Sequence, residues 1–357
     1  MRAAAGSVST GETRIVVSVA SRKNLFILGG GLVILVALAF FPVFGSLAWT
    51  RRLVDFFLFL ALAQFWNLLL GYGGIISVGQ QGYIGMGCYA LWFFADVLHV
   101  PLFLAVILAG LSGAIIAVPS AALVFKLRGG YLAIGTMVLA EMYRMIVSNI
   151  EATGGGSGVT IQAATEFGNE SRVSGTYWWA LAAAVIAIAA VYYTMRSRTG
   201  LALKAVRDDD LAAESSGVNL WRTRMYTFVI AGAGCALVGG ILAISLLRIQ
   251  PASVFAINWS AYMVFISVIG GLGTIEGPII GAVIFFVLRE TTSGYGGWYF
   301  IALGVVAVIV PVWNLGGIYG FVAKRTKFFV FPLRRKVKIL GDGPGQAEPA
   351  TQEEVSA

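Results

Sequence analysis

Long uncharged runs of apolar residues, separated by short polar joints, dominate this chain. Stretches such as AVILAGLSGAIIAVPSAALVF do not alternate apolar with polar positions, unlike the roughly ten-residue strands of a membrane β-barrel. A hydrocarbon core near 30 Å takes about twenty helical residues per crossing. On that ruler the pattern predicts helical spans over Leu25 to Trp49, Leu53 to Leu70, Gly74 to Phe94, Pro101 to Phe125, Tyr131 to Val147, Trp178 to Thr194 and Tyr226 to Leu247. Trp259 to Leu288, about 45 Å as one helix, is too long for an upright span and too short for two full ones. Tyr299 to Trp313 is the last apolar segment. The expected fold is all-α, a polytopic transmembrane helical bundle.

Composition agrees, with 58% hydrophobic residues, 12% charged residues and a mean hydropathy of +0.85, beyond what a soluble core needs. Charge placement then sets the number of crossings. Arg2, Arg14, Arg22 and Lys23 precede the first span, and Lys126 and Arg128 occupy a short turn. Arg196, Arg198, Lys204, Arg207, Arg222 and Arg224 lie in a central loop; Lys324, Arg325, Lys327, Arg334, Arg335, Lys336 and Lys338 lie in the tail. The positive-inside rule puts all four segments in the cytoplasm if the chain crosses ten times, with Trp259 to Leu288 folded as two short arms turning at GGLGTIEG. About ten spans are therefore expected, in a range of eight to ten, with Arg51 and Arg52 outside against the rule. The organisation reads as a cytoplasmic N-terminal segment over residues 1–24, a membrane domain over 25–320 with a cytoplasmic loop at 196–225, and a basic then disordered cytoplasmic tail over 321–357. The first apolar run is too long for a signal-peptide core.

Two glycine-rich membrane segments look alike. Both carry G-G-x-x-[ST], as Gly73, Gly74 and Ser77 and as Gly270, Gly271 and Thr274, which suggests a duplicated half. Clustered glycine permits either close helix packing or a helix break whose freed amides face a polar cavity. Ser77, Gln80, Gln81, Thr274 and Glu276 are candidates to line a translocation path, because polar side chains at such depth rarely face lipid. Glu141 falls about 15 Å into its span, with Arg144 at i+3. A structural salt bridge between helices and a contact to a zwitterionic substrate are both open readings of that pair.

The densest charge lies in VRDDDLAAESSGVNLWRTRMY, residues 206–226. Its interior reads as a short helix placing Ala213 and Gly217 on one face, where a partner would approach closely. The alternative is a solvated basic loop that merely obeys the positive-inside rule. The wider stretch from Ser197 to Ala243 resembles the LivM-type permease subunits of branched-chain amino-acid ABC transporters. So do YLAIGTMVLAEMYRMIVSN followed by TGGGSG, and the segments GYGGIISVGQQGYIGMGCYA and VIGGLGTIEGPIIGAVIF. The resemblance covers about Leu68 to Trp313.

That resemblance implies a permease subunit forming half of the path of an importer in a bacterial inner membrane, with both termini cytoplasmic. Asp210, Ala212, Ala213, Glu214 and Gly217 would dock on an ATP-binding subunit, and Thr153, Gly154, Gly155 and Gly158 would form an external loop. The partners implied are two ATP-binding subunits, a homologous second permease and an extracytoplasmic substrate-binding protein. The cargo would be a branched-chain or similar small amino acid, or alternatively urea or a short amide. No cofactor is expected in this chain, since G-x-x-x-x-G-K-[ST] is missing and ATP must bind elsewhere. Neither H-E-x-x-H nor G-x-S-x-G occurs, so no catalytic residue and no enzyme activity are expected. Cys88, Cys235 and the lone His99 give no metal site. The net charge of +8 suits cytoplasmic arms against anionic lipid and requires no nucleic acid. An ion-coupled secondary transporter, which needs no docking loop, and a membrane protein without transport are the readings from other classes.

Overall fold

The computed structural model describes residues 13–18, 22–127, 129–292, 301, 304–305, 309, 316–326 and 336–341. It divides into two compact units, residues 1–32 with 332–357 and residues 33–331. In the first, strand β1 (Thr13–Ser18) pairs antiparallel with β4 (Lys336–Gly341), Thr13 opposite Gly341 and Ser18 opposite Lys336. Neither strand is visible in the hydropathy pattern. The polar end of the tail, 342–357, lies outside the described residues.

The rest is helical. In chain order come α1 (Arg22–Phe44), α2 (Leu47–Asn67), α3 (Gln80–Trp92), α4 (Leu102–Val124), α5 (Gly130–Asn149), a short α6 (Gln162–Thr165), α7 (Asn169–Arg196), α8 (Arg198–Asp208) and α9 (Asp210–Ser215). Then follow α10 (Leu220–Leu246), a short α11 (Pro251–Val254), α12 (Asn258–Gly270), α13 (Glu276–Thr292) and α14 (Gly317–Thr326). Two-residue strands β2 (Val159–Thr160) and β3 (Arg248–Ile249) pair across the loops. Among the described residues six helices are long and apolar enough to cross a membrane: Leu47–Tyr72, Leu102–Val124, Gly130–Asn149, Asn169–Arg196, Leu220–Leu246 and Pro251–Gly270. The all-helical, multi-span architecture stands, while most of the predicted last span, Tyr299 to Trp313, lies outside the described residues.

Several boundaries differ from the pattern. The first joint falls at Gly45 and Ser46, where Ser46 caps α2 with Oγ 3.5 Å from the Trp49 amide. Arg51 and Arg52 are therefore in the first turns of α2. There Arg51 donates to Asn169 at 2.6 Å and Arg52 pairs with Glu290 at 2.7 Å. Asp55 of the same helix lies 3.2 Å from Arg289. The predicted span from Gly74 to Phe94 instead begins with non-helical chain over 73–79, and α3 runs on through a wide π turn at Phe93–Val97.

Glycine sets the spacing of the central helices. A methyl group at Gly87 of α3 would strike the Ala236 carbonyl of α10, and one at Gly239 of α10 would strike the Ile84 carbonyl of α3. Gly113 of α4 is equally close to Ala236 and Gly232. Without a hydrophobic drive between helices in lipid, such backbone approach supplies dispersion contact instead. The core side chains around it include Trp66, Tyr83, Phe228 and Leu91, all fully buried.

The two G-G-x-x-[ST] segments are both breaks. After a π turn over Leu68–Tyr72 the chain reverses at Gly74 with φ +64°. After α12 it turns at Gly271 with φ +126°, a conformation a side chain would strain. The expected turn at GGLGTIEG is thus present, with α12 and α13 as its arms. Asn67 joins the two breaks: Nδ2 donates to the Thr274 carbonyl at 2.8 Å and Oδ1 accepts from the Gly273 amide at 2.9 Å. Gln64, one turn earlier, donates to the Ile275 carbonyl at 2.8 Å. Replacing Asn67 with leucine, similar in size but unable to hydrogen-bond, leaves two backbone groups unpaired. It is expected to destabilise the protein by about 2 kcal/mol, seen as a lower midpoint of thermal unfolding in detergent. An unchanged midpoint would show that the break does not depend on Asn67.

Candidate functional site

The charged central loop is a pair of short helices held at both ends. Asp209 caps α9, its Oδ1 accepting from the amides of Leu211 at 2.8 Å and Ala212 at 3.0 Å. Asp210 pairs with Arg224 of α10 at 2.7 Å. At the C-terminal end Gly217 has φ +82°, and the Val218 amide donates to the Ala213 carbonyl at 3.0 Å, a left-handed helix stop. Ala213 is only 2% exposed, packed into this chain, and no atom lies near the place a Gly217 side chain would take. Ala213 and Gly217 therefore do not form one shared contact face. Gly217 supplies a backbone conformation, and the outward surface is Leu211, 76% exposed, with Ala212 and Glu214 beside it.

At the end of α8, Arg207 reaches inward. Its Nη1 donates to the Gly71 carbonyl at 2.6 Å. The same guanidinium lies beside the second break, since a methyl group at Gly273 would come within 2.9 Å of Nη1. One side chain of the loop thus touches both breaks.

The polar residues picked from the sequence separate into two groups. Ser77 and Gln80 are wholly buried, and Gln80 Nε2 donates to Ser77 Oγ at 3.0 Å. The Ser77 carbonyl accepts from Trp66 Nε1 at 2.8 Å. Thr274 caps α13, accepting from the Gly277 amide at 3.0 Å, and Glu276 is buried in the first turn of that helix. Gln81, Glu141 and Arg144 instead come together at a cavity of about 420 Å³, with Met137, Phe255 and Ile257 and the small Ala252 and Ala256. Glu141 and Arg144 are paired within α5, Arg144 Nε lying 2.9 Å from both carboxylate oxygens. The pair does not link two helices, and it is not buried in the core: the side chains are 48% and 32% exposed. The reason is the other face of α5, where methyl groups at Gly79 and Gly82 would strike Thr136 and Ala140. That tight seam with α3 turns Glu141 outward.

The TGGGSG loop is folded and tied down. Thr153 Oγ1 donates to the Val147 and Ile150 carbonyls, both at 2.7 Å. Gly154 and Gly155 form the turns that follow, and Gly158 lies against the Ile249 carbonyl, where β2 meets β3. Asp96 accepts from the amides of Gln162 at 2.8 Å and Ala163 at 2.9 Å.

Gln64, Asn67, Arg207, Asp96, Phe255 and Ser260 were not singled out from the sequence. The first two carried a signal, polar residues three apart inside the apolar run ALAQFWNLLL. Among the described residues no group of three or more His, Cys, Asp or Glu side chains is placed to hold a metal ion.

Residues 50–319 match the family model described as the permease component of branched-chain amino acid transport systems. The chain is 28% identical over 278 residues to the high-affinity branched-chain amino acid transport system permease protein LivM of Salmonella typhimurium, covering 71% of this chain and 65% of that protein. The Escherichia coli protein of the same name is 27% identical over the same shares. A probable branched-chain amino acid transport permease protein LivM of Methanocaldococcus jannaschii is 26% identical, covering 61% and 62%. The chain thus spans under two thirds of the length of these relatives. No solved structure matches it.

The conformational role of Gly217 is testable. An alanine there costs about 1 kcal/mol without any clash, and asparagine, which tolerates positive φ, costs less. Hydrogen exchange of the α9 amides should speed up roughly fivefold in Gly217→Ala and less in Gly217→Asn. Equal protection in all three proteins would count against it.

Proposed function

The chain belongs to the family of permease components of branched-chain amino acid transport systems, and on that premise we propose that it is one membrane subunit of an ATP-driven importer. It pairs with a homologous permease, two cytoplasmic ATP-binding subunits and an extracytoplasmic binding protein that delivers a branched-chain or related small amino acid. The reading rests on one observation above all: α9 offers exposed Leu211 to a partner, and Arg207, four residues earlier, holds Gly71 beside Gly273. When the ATP-binding subunits close, α9 moves with them and Arg207 carries the displacement to both breaks. The equilibrium between outward- and inward-open forms shifts by the difference in contacts the two states make.

A count of ten crossings is supported by which helix ends meet. The start of α2 lies with the start of α7 and the end of α13, through Arg51, Arg52 and Asp55. The end of α2 lies with Arg207 and residues 271–275. Gly317, at the start of α14, is back beside Gly271. The end of α13 and the start of α14 thus lie at opposite ends of α2, and the positive-inside rule assigns the Arg207 end, together with both termini, to the cytoplasm.

The docking surface and its transmission separate in two variants. Leu211→Glu should leave the subunit inserted but lose the ATP-binding subunits on purification. Arg207→Leu should retain them while amino-acid uptake falls at least tenfold. Normal ATPase retention in the first, or normal uptake in the second, would remove the role given to that residue.

The topology has its own test. Cys88 and Cys235 are buried, so a cysteine placed at Lys336 is the thiol available to a membrane-impermeant reagent. Labelling is expected only after the membrane is opened. Labelling of intact cells would refute ten crossings and the cytoplasmic tail.

A further inference from the structure

We propose that the cavity against the Glu141–Arg144 pair is a binding subsite for a free zwitterionic amino acid with an apolar side chain, on its way through the membrane. The inference rests on the importer reading above and adds to it a place where cargo contacts this chain. Three observations converge there.

The first is the position of the charges. Glu141 and Arg144 lie in the middle and outer half of a twenty-residue apolar helix, and Ile134, Val138 and Met145 on the face of Glu141 are exposed. An ionised side chain at such depth costs roughly 3 kcal/mol on insertion scales, so charges there face a polar cavity or a partner and not acyl chains. The second is the geometry of the pair. Arg144 uses Nε and Nη2 on the carboxylate, and Nη1 takes no part in the pair. A guanidinium edge able to donate to a carboxylate thus lies beside a carboxylate able to accept from an ammonium group, matching the two poles of an α-amino acid.

The third is the rest of the wall. Gln81 is 4% exposed, and its Oε1 accepts from Ser260 Oγ, which fixes the carboxamide and leaves Nε2 as a donor without a hydrogen bond among the described residues. Met137, Phe255 and Ile257 supply an apolar surface next to these polar groups. A volume of 420 Å³ falls within the range of about 300–1,000 Å³ typical of small-molecule sites, which are likewise mostly apolar with a few placed polar groups. A urea-sized cargo would leave that apolar wall unused.

The test uses the assembled importer in proteoliposomes, with labelled leucine as probe and uptake and receptor-stimulated ATP hydrolysis as readouts. Glu141→Gln and Arg144→Gln should each cut leucine uptake at least tenfold while ATP hydrolysis stays within about twofold and all subunits remain assembled. The exchanged pair, Glu141→Arg with Arg144→Glu, retains an i,i+3 ion pair but presents its poles in the wrong order, and should not restore uptake. Restored uptake in the exchanged pair would overturn the subsite in favour of a structural role. So would normal uptake in the single variants, or loss of the second permease from them, which would make this face a subunit contact. Should the charge variants not fold, Met137→Cys answers independently: leucine should slow its modification by a small maleimide severalfold during turnover, and no protection would overturn the proposal. An importer whose wild type moves another cargo but no leucine would instead refute the functional reading beneath it.

Discussion

Buried backbone groups have no water to turn to, and this chain interrupts its helices twice where much of the backbone is buried. Each unpaired amide or carbonyl there costs several kcal/mol. The interruptions survive because three side chains from two helices, α2 and α8, take up the freed groups. Asn67 serves Gly273 and Thr274, Gln64 serves Ile275, and Arg207 serves Gly71. Two of these come from α2, which is the most buried of the long helices. The direction of α3 after the first break and the pairing of α12 with α13 both follow from that small set of bonds.

Glycine does two separate jobs around this frame. In α3, α4 and α10 it removes side chains so that backbones meet, at Gly87, Gly113 and Gly239. In the paired G-G-x-x-[ST] segments it lets the chain turn. The two segments end differently despite their likeness. Thr274 caps the next helix directly through the Gly277 amide, whereas Ser77 holds the Gln80 side chain. The two segments are thus breaks of one kind with different local hydrogen bonds.

Most of the architecture was legible, because hydropathy reports directly on length and lipid exposure. The breaks were legible as clustered glycine and the loop helices as a charged, small-residue stretch. Direction was not. Nothing in the spacing of Ala213 and Gly217 tells that one packs inward while the other is needed only for its φ, since helical periodicity gives relative faces and not which face meets the core. Glu141 likewise looked buried by depth alone, when the glycine seam between α3 and α5 turns it outward. Arg207 could not be found from sequence, because its partners are backbone groups at Gly71 and Gly273, and backbone leaves no mark in composition. The pairing of β1 with β4 joins segments more than three hundred residues apart, with no hydrophobic alternation strong enough to announce it.

The same contacts give the proposed coupling a continuous route. Gln81 lies in the first turn of α3, directly after the first break, and its hydrogen bond to Ser260 ties it to α12, which ends at the second. The cavity is thus lined by Gln81 of α3 and, through residues 255–257, by the segment that leads into α12. A displacement of α8 alters the hold on Gly71 and the approach to Gly273 together, so α3 and α12 respond as a pair. The tight seam through Gly79 and Gly82 joins α5 to α3 and brings Glu141 and Arg144 along. Two discrete arrangements of these three helices would open or close one wall of the cavity, because glycine contacts at van der Waals limits leave no room for gradual adjustment.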